Sequence, residues 1–272
     1  MLSPINETAD GCDTKITKTT KLVNFVIFVV FVVEAVARYT LSMLETVFLD
    51  AGGVFLYPNW WRVSEALAKY GVHVAPEALK AADPKARREL DDRKVIGGTT
   101  DASRGWLFFD LILSHAGLTR SEGTAAALSV LHAYHTASNL WEYVPDDVLP
   151  ALEALRRRGL RLVVVSNANG TLRAHLNRIG MTPRFDLVLD SADEGVEKPD
   201  PRFFEIALEK SGASRETTIH VGDLYYVDVM GARAAGLRGI LLDEGNLRPD
   251  ADCPRVRSLD ELVTQIAAGA FD

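Results

Sequence analysis

Six polar residues at or shortly after the ends of apolar runs are the ones best suited to chemistry. Asp50 follows Val47-Phe48-Leu49, Ser166 and Asn167 follow "LVVV", and Asp223 follows "IHVG". Lys198 lies in "EGVEKPDP", and a further acid, Asp228, comes five residues after Asp223. Three carboxylates, Asp50, Asp223 and Asp228, suit Mg²⁺, a hard cation that prefers oxygen and keeps several waters. A Ser hydroxyl, an Asn amide and a Lys ammonium donate to anionic oxygens. Gly52 and Gly53 make a turn whose backbone N–H groups can face a phosphate. With a cation and Lys198 offsetting charge, a carboxylate can approach a phosphoryl group and attack it, giving an aspartyl-phosphate. Singly, each residue has an ordinary explanation as a helix cap or a solvated side chain. Their order along the chain carries the argument.

The elements that must position them are short. "TVFLD" (46–50), "LRLVVVSN" (160–167), "FDLVLDS" (185–191), "TIHVGD" (218–223) and "RGILLDE" (238–244) read as buried strands. Helical patterns at 171–179, 202–211 and 227–235 each stop at a glycine. Ser258 and Glu261 form a capping-box pattern that opens a last helix. Buried strands alternating with helices predict an α/β fold with a doubly wound, Rossmann-like parallel sheet. Ligands of such sheets bind at the carboxyl ends of the strands. Between Asn59 and Glu142 no strand is evident. Val63, Ala66, Leu67 and Tyr70 recur at helical spacing, as do Trp106, Phe109 and Leu113. The expected division is an N-terminal extension (1–42), an α/β core (43–58 with 143–272) and an inserted helical cap (59–142).

The motifs resemble those of the haloacid dehalogenase superfamily. "VFLDAGGV" is similar to its first motif, "VVVSN" to its second, "EKPDP" to its third and "HVGDLYYVD" to its fourth. The helical insertion falls where that family places a C1-type cap. The resemblance implies Asp50 as nucleophile and Ser166, Asn167 and Gly53 around the transferring phosphoryl group. It implies Lys198 as the charge neutraliser, and Mg²⁺ held by Asp50, the Gly52 carbonyl, Asp223 and Asp228.

One position departs from the pattern. Phosphatases of the family generally carry a second Asp two residues after the nucleophile, and here that residue is Gly52. The backbone carbonyl can still hold a metal, but the general acid is gone, a group that contributes about 10²–10⁴-fold. Turnover of alkyl phosphates is therefore expected to be slow, with aryl or acyl phosphates suffering less. Three readings follow: a Mg²⁺-dependent phosphatase, a phosphonate C–P hydrolase, and a phospho-ligand-binding protein. The second would need a Schiff-base lysine from the cap, where Lys69, Lys80, Lys85 and Lys94 are available. The paired acids Asp223 and Asp228 speak against a metal-free dehalogenase.

Bulk properties agree with a small phosphorylated substrate. The net charge of −7 disfavours nucleic acid or an anionic membrane as partner. "KARRELDDRK" (85–94) mixes both signs and reads as a solvated helix face. His132 and His135 are three apart and lack a clear third metal ligand, and His220 reads as packing beside a strand. Trp60 and Trp61 sit where the insertion begins, as pocket or hinge residues. Two cysteines, Cys12 and Cys253, make no disulfide framework, so a reducing, cytoplasmic compartment is the default. "LVNFVIFVVFVV" (22–33) complicates this. As a helix it reaches about 18 Å, short of a hydrocarbon core of about 30 Å. It suits a signal-peptide core with a cleavage site at 35–37, or an upstream extension ahead of a start at Met43. Stable membrane association of the folded part is not expected.

Overall fold

The first strand, β1 (Thr46–Leu49), is completely buried, and its side chains alternate between two apolar layers. Val47 and Leu49 enter one core cluster, and Phe48 enters the other. In this computed structural model residues 44–272 are described, together with Val23, Asn24, Phe25 and Ile27, which are helical. The expectations for residues 1–42 otherwise lie outside the described residues. No helix among the described residues is long and apolar enough to cross a membrane.

The strands β2 (Arg161–Ser166), β3 (Leu187–Asp190), β4 (Thr218–Gly222), β5 (Arg238–Leu242) and β6 (Arg255–Val256) complete a parallel sheet. Its order is β3-β2-β1-β4-β5-β6. The chain leaves β1 for β2 on one side and returns to β4 on the other. The switch point therefore lies at the carboxyl ends of β1 and β4, where open α/β sheets bind their ligands. Five of the six strands match the predicted runs. The two-residue β6 is too short to show a period.

The stretch after β1 is helical, as its periodicity predicts. It holds α1 (Trp60–Ala68), α2 (Pro76–Leu90), α3 (Arg93–Gly98), α4 (Asp101–His115) and α5 (Glu122–Ser138). These helices bury their own apolar cluster, with Trp60, Leu79, Phe109, Ile112 and Leu131 among its members. Trp60 packs against Phe108 and Phe109, so it is a core residue of the insertion. Trp61 is exposed and lies against Tyr143, near where the chain re-enters the sheet layer.

One expectation holds only in part. In the segment 85–94, Lys85, Arg88, Glu89, Asp92, Arg93 and Lys94 are exposed, but Arg87 and Asp91 are not. Arg87 reaches the sheet layer and pairs with Asp83 and Asp223. Asp91, 2% exposed, accepts from the backbone N–H groups of Tyr225 (2.8 Å) and Tyr226 (2.9 Å) and pairs with Arg248 (2.8 Å). Mixed charge hid this role, because an ion pair between layers and a pair in water have the same composition. Asp91→Asn keeps the shape and loses the charge and one acceptor. It is expected to lower stability by about 1–3 kcal/mol, measured by urea denaturation with unchanged m-value.

Candidate active site

Asp50 leaves the end of β1 with its backbone N–H bonded to the Val221 carbonyl at 2.9 Å. This bond pins the residue between β1 and β4. Asp223 follows β4, and Asp228 sits in a wide helical turn, Tyr225–Val229. Asp228 fixes its own turn, since its carboxylate accepts from the Leu224 N–H at 3.0 Å. Carboxylate oxygens of Asp50, Asp223 and Asp228 lie within 4.8 Å of one another. The expectation that these acids meet at one edge of the sheet is met.

Lys198 joins them. Its Nζ is 2.8 Å from Asp50 Oδ1 and 2.7 Å from Asp228 Oδ1, and the side chain is 1% exposed. Burial alone would lower the Lys198 pKa, but Asp228 and Asp50 outweigh it and raise the value above the usual range. Burial likewise works against the Asp228 charge, while Lys198 and His220 win and hold the carboxyl well below its usual range. Asp223 moves the opposite way. Burial pushes it up to about 7, against the pull of Arg87 and reinforced by the charges of Asp228 and Asp50.

His220 is more than a packing residue. It is fully buried in β4, and its Nε2–H donates to Asp228 Oδ1 at 3.0 Å. Burial lowers its pKa, which favours the neutral ring, and the Phe204 ring holds it edge-on at 4.9 Å. A polar side chain in a fully buried strand must find a partner, and this was a readable signal.

Ser166 ends β2, buried, and lines the same cavity as the acids. Asn167 is used differently from the expectation. Its Oδ1 accepts from the Lys198 N–H at 2.8 Å and its Nδ2 donates to the Lys198 carbonyl at 2.9 Å. The side chain clamps the backbone of Lys198 and so orients the ammonium. Gly53 does not reach the cavity as a donor, because its N–H is spent on the Leu56 carbonyl at 2.9 Å. Its φ of +74° is what the turn requires, and a Cβ there would run into Arg87 and Asp223. Gly52 lines the cavity beside Asp50.

The cavity has a volume of about 500 Å³ and lies between the sheet edge and the helical insertion. The insertion contributes Arg87, Asp101, Arg104, Trp106 and Phe108 to its wall. His132 and His135 also line it, stacked edge-on against Trp106 at 4.5 Å and 6.1 Å. Their role is an aromatic wall. The acidic triad Asp50, Asp223 and Asp228 is the one group of three or more His, Cys, Asp or Glu among the described residues whose ligand atoms are close enough to hold a metal ion together. Its hard carboxylate oxygens, converging from two strand ends, fit a Mg²⁺-type ion. The insertion's contributions were invisible in the sequence, because helical periodicity marks an inner face without naming the layer it meets.

A buried ammonium between carboxylates thus sits at the switch point of a doubly wound sheet, the place where open α/β folds bind their ligands. Residues 44–236 match the model of the haloacid dehalogenase-like hydrolases, and the chain belongs to that family of hydrolases. It is 33% identical over 193 residues to human haloacid dehalogenase-like hydrolase domain-containing protein 3, spanning 69% of this chain and 74% of that protein. It is 31% identical over 239 residues to the glyceraldehyde 3-phosphate phosphatase of Methanopyrus kandleri, spanning 83% of this chain and 99% of that one. The magnesium-bound HAD-hydrolase YfnB of Bacillus subtilis superposes with a TM-score of 0.59 at 20% identity, covering 82% of this chain and 99% of that structure. That likeness is one of fold.

Proposed function

We propose that the protein is a phosphatase of small phosphate monoesters, working through an aspartyl-phosphate on Asp50. The observation that carries the reading is the placement of the Asp50 carboxylate. It opens on the cavity while Lys198 holds it at 2.8 Å. A carboxylate kept in register by a buried cation is a poised nucleophile. Lys198 also brings positive charge to the place where phosphoryl oxygens must come. Ser166 donates from the end of β2, Asn167 positions Lys198, and the helical insertion closes over the substrate as a cap. Asp50, Asp223 and Asp228, with the Gly52 carbonyl, would hold Mg²⁺. The ion would supply charge that eases the approach of two anions. Relatives named as phosphatases support the choice of substrate class.

A C–P hydrolase needs a lysine facing the substrate from the cap. Of the four candidates, Lys69, Lys80, Lys85 and Lys94, none lines this cavity, and Lys80 lies over the Tyr143 ring in a separate recess. The imine route has no support. Release of phosphate from p-nitrophenyl phosphate, abolished by a chelator and restored by Mg²⁺, is the expected result. Absence of release across aryl, acyl and alkyl phosphates would sink the reading.

Position 52 offers a second test. A Cβ there meets nothing closer than Trp141 Nε1, at 3.5 Å, an ordinary contact. Gly52→Asp should therefore fold, and in a background lacking any other acid for the leaving group it should raise alkyl-ester turnover by about tenfold or more, part of the general-acid contribution. Steady-state kcat for glycerol phosphate reads it.

A further inference from the structure

We propose that Asp101, delivered by the helical insertion, is the general acid that replaces the missing carboxylate at position 52. The proposal rests on the phosphatase reading above. Asp101 and Gly52 line the same cavity, with Asp50 and Lys198 on its floor. Asp101 is the first residue of α4, whose start is fixed by reciprocal bonds between Thr100 and Ser103. Its backbone N–H donates across the cleft to Glu197 Oε1 at 3.4 Å, and Glu197 adjoins Lys198. The contact ties this residue of the insertion to the loop that carries the catalytic lysine.

The neighbouring guanidinium leaves the carboxyl available. Arg104 is 3% exposed and its Nη1 donates to the Thr99 carbonyl at 3.0 Å. Its Nη2 stops 3.6 Å from Asp101 Oδ1 and 3.9 Å from Glu197 Oε1, and has no hydrogen-bond partner. A full bidentate pair would fix the carboxylate in its ionised form; this looser arrangement does not.

Charged groups facing Asp101 come from both layers. The side chain is 42% exposed, and desolvation of the part facing the cleft pushes its carboxyl up to about 6, with Arg104 and Lys198 pulling down and Asp50 and Glu197 pushing up. An acid works best with a pKa near the operating pH. Among the other groups on the cavity wall, Asp223 is tied to Arg87 and belongs to the acidic triad. Lys198 and Asp228 are held charged by each other, and burial lowers His135 so that its ring is neutral.

The chemistry balances. Asp50 attacks phosphorus, the bond to the leaving oxygen breaks, and that oxygen takes the Asp101 proton. A water then attacks phosphorus, gives its proton to the Asp101 carboxylate, and the bond to Asp50 breaks. Alcohol and phosphate leave, and both acids return to their starting states.

The test is single-turnover phosphoryl transfer in wild type and Asp101→Asn, with glycerol phosphate and p-nitrophenyl phosphate. The phenol leaves without a proton, and the alcohol does not. Asp101→Asn is expected to slow the alkyl ester by about 10²–10⁴-fold and to depress the alkyl-to-aryl rate ratio by at least about tenfold. The protonated form is the active one, so wild-type alkyl transfer falls as pH rises through about 6. That limb should vanish in Asp101→Asn. Adding Gly52→Asp to Asp101→Asn should restore alkyl transfer. Equal loss on both esters, or no loss, overturns the assignment and leaves Asp101 a tether between layers. Wild type that transfers phosphoryl from neither ester overturns the phosphatase reading, and the assignment with it.

Discussion

Asp50→Asn is expected to lower phosphate release by about 10⁴-fold or more, the scale reached when a nucleophile is removed outright. The amide is nearly isosteric but cannot attack phosphorus. It also gives up half of the ionic partnership around Lys198, whose Nζ is shared between Asp50 and Asp228. Asp228 stays in place with His220 at 3.0 Å, so the ammonium keeps one full partner. The variant should therefore fold, with a circular dichroism spectrum like wild type. A loss of only a few-fold would mean that Asp50 orients the substrate and another group attacks.

Lys198→Met is expected to cost both activity and stability. The side chain is 1% exposed and its ammonium sits between two carboxylates, one of them 1% exposed. Removing it strands Asp228 and Asp50 without their shared cation. Breaking a buried pair from one side costs about 3–5 kcal/mol. For a chain of this size that is a fall in Tm of roughly 6–20 °C. The penalty comes from the stranded charge rather than from lost contacts. Lys198→Met combined with Asp228→Asn should thus recover a good part of the Tm, although not the activity. Calorimetry of the two variants separates the cases. A double variant less stable than the single one would show that packing of the lysine stem was the main contribution.

The sheet was legible because its strands are buried on both faces. Such strands read as continuous apolar runs, and a polar residue directly after one marks its end. Asp50, Ser166 and Asp223 were found this way. They converge because parallel strands deliver their carboxyl ends to the same edge. Lys198 was found by its motif, and its burial could not be read. A lysine in a loop is normally solvated, and only the acids from two other segments make burial tolerable.

The insertion was legible as helices and opaque as a participant. Val63, Leu67 and Phe109 revealed an inner face, and they do form its core. Arg87, Asp91, Asp101 and Arg104 are polar residues that meet the other layer. Nothing in their local sequence distinguishes them from Arg93 or Lys94, which are exposed. Such contacts are set by tertiary placement, to which periodicity is blind. Asn167 shows the same limit at finer scale. An amide after a strand can bond a ligand or the backbone of a neighbouring loop, and here it bonds the loop of Lys198.

The covalent step on residue 50 can be read directly. During turnover of p-nitrophenyl phosphate, rapid quenching with borohydride reduces an acyl phosphate to an alcohol, and peptide mass spectrometry then locates it. Homoserine at position 50, present with substrate and lacking without it, is the predicted result. Phosphate released in steady turnover while position 50 stays aspartate, with the label on another residue or on none, would contradict the account.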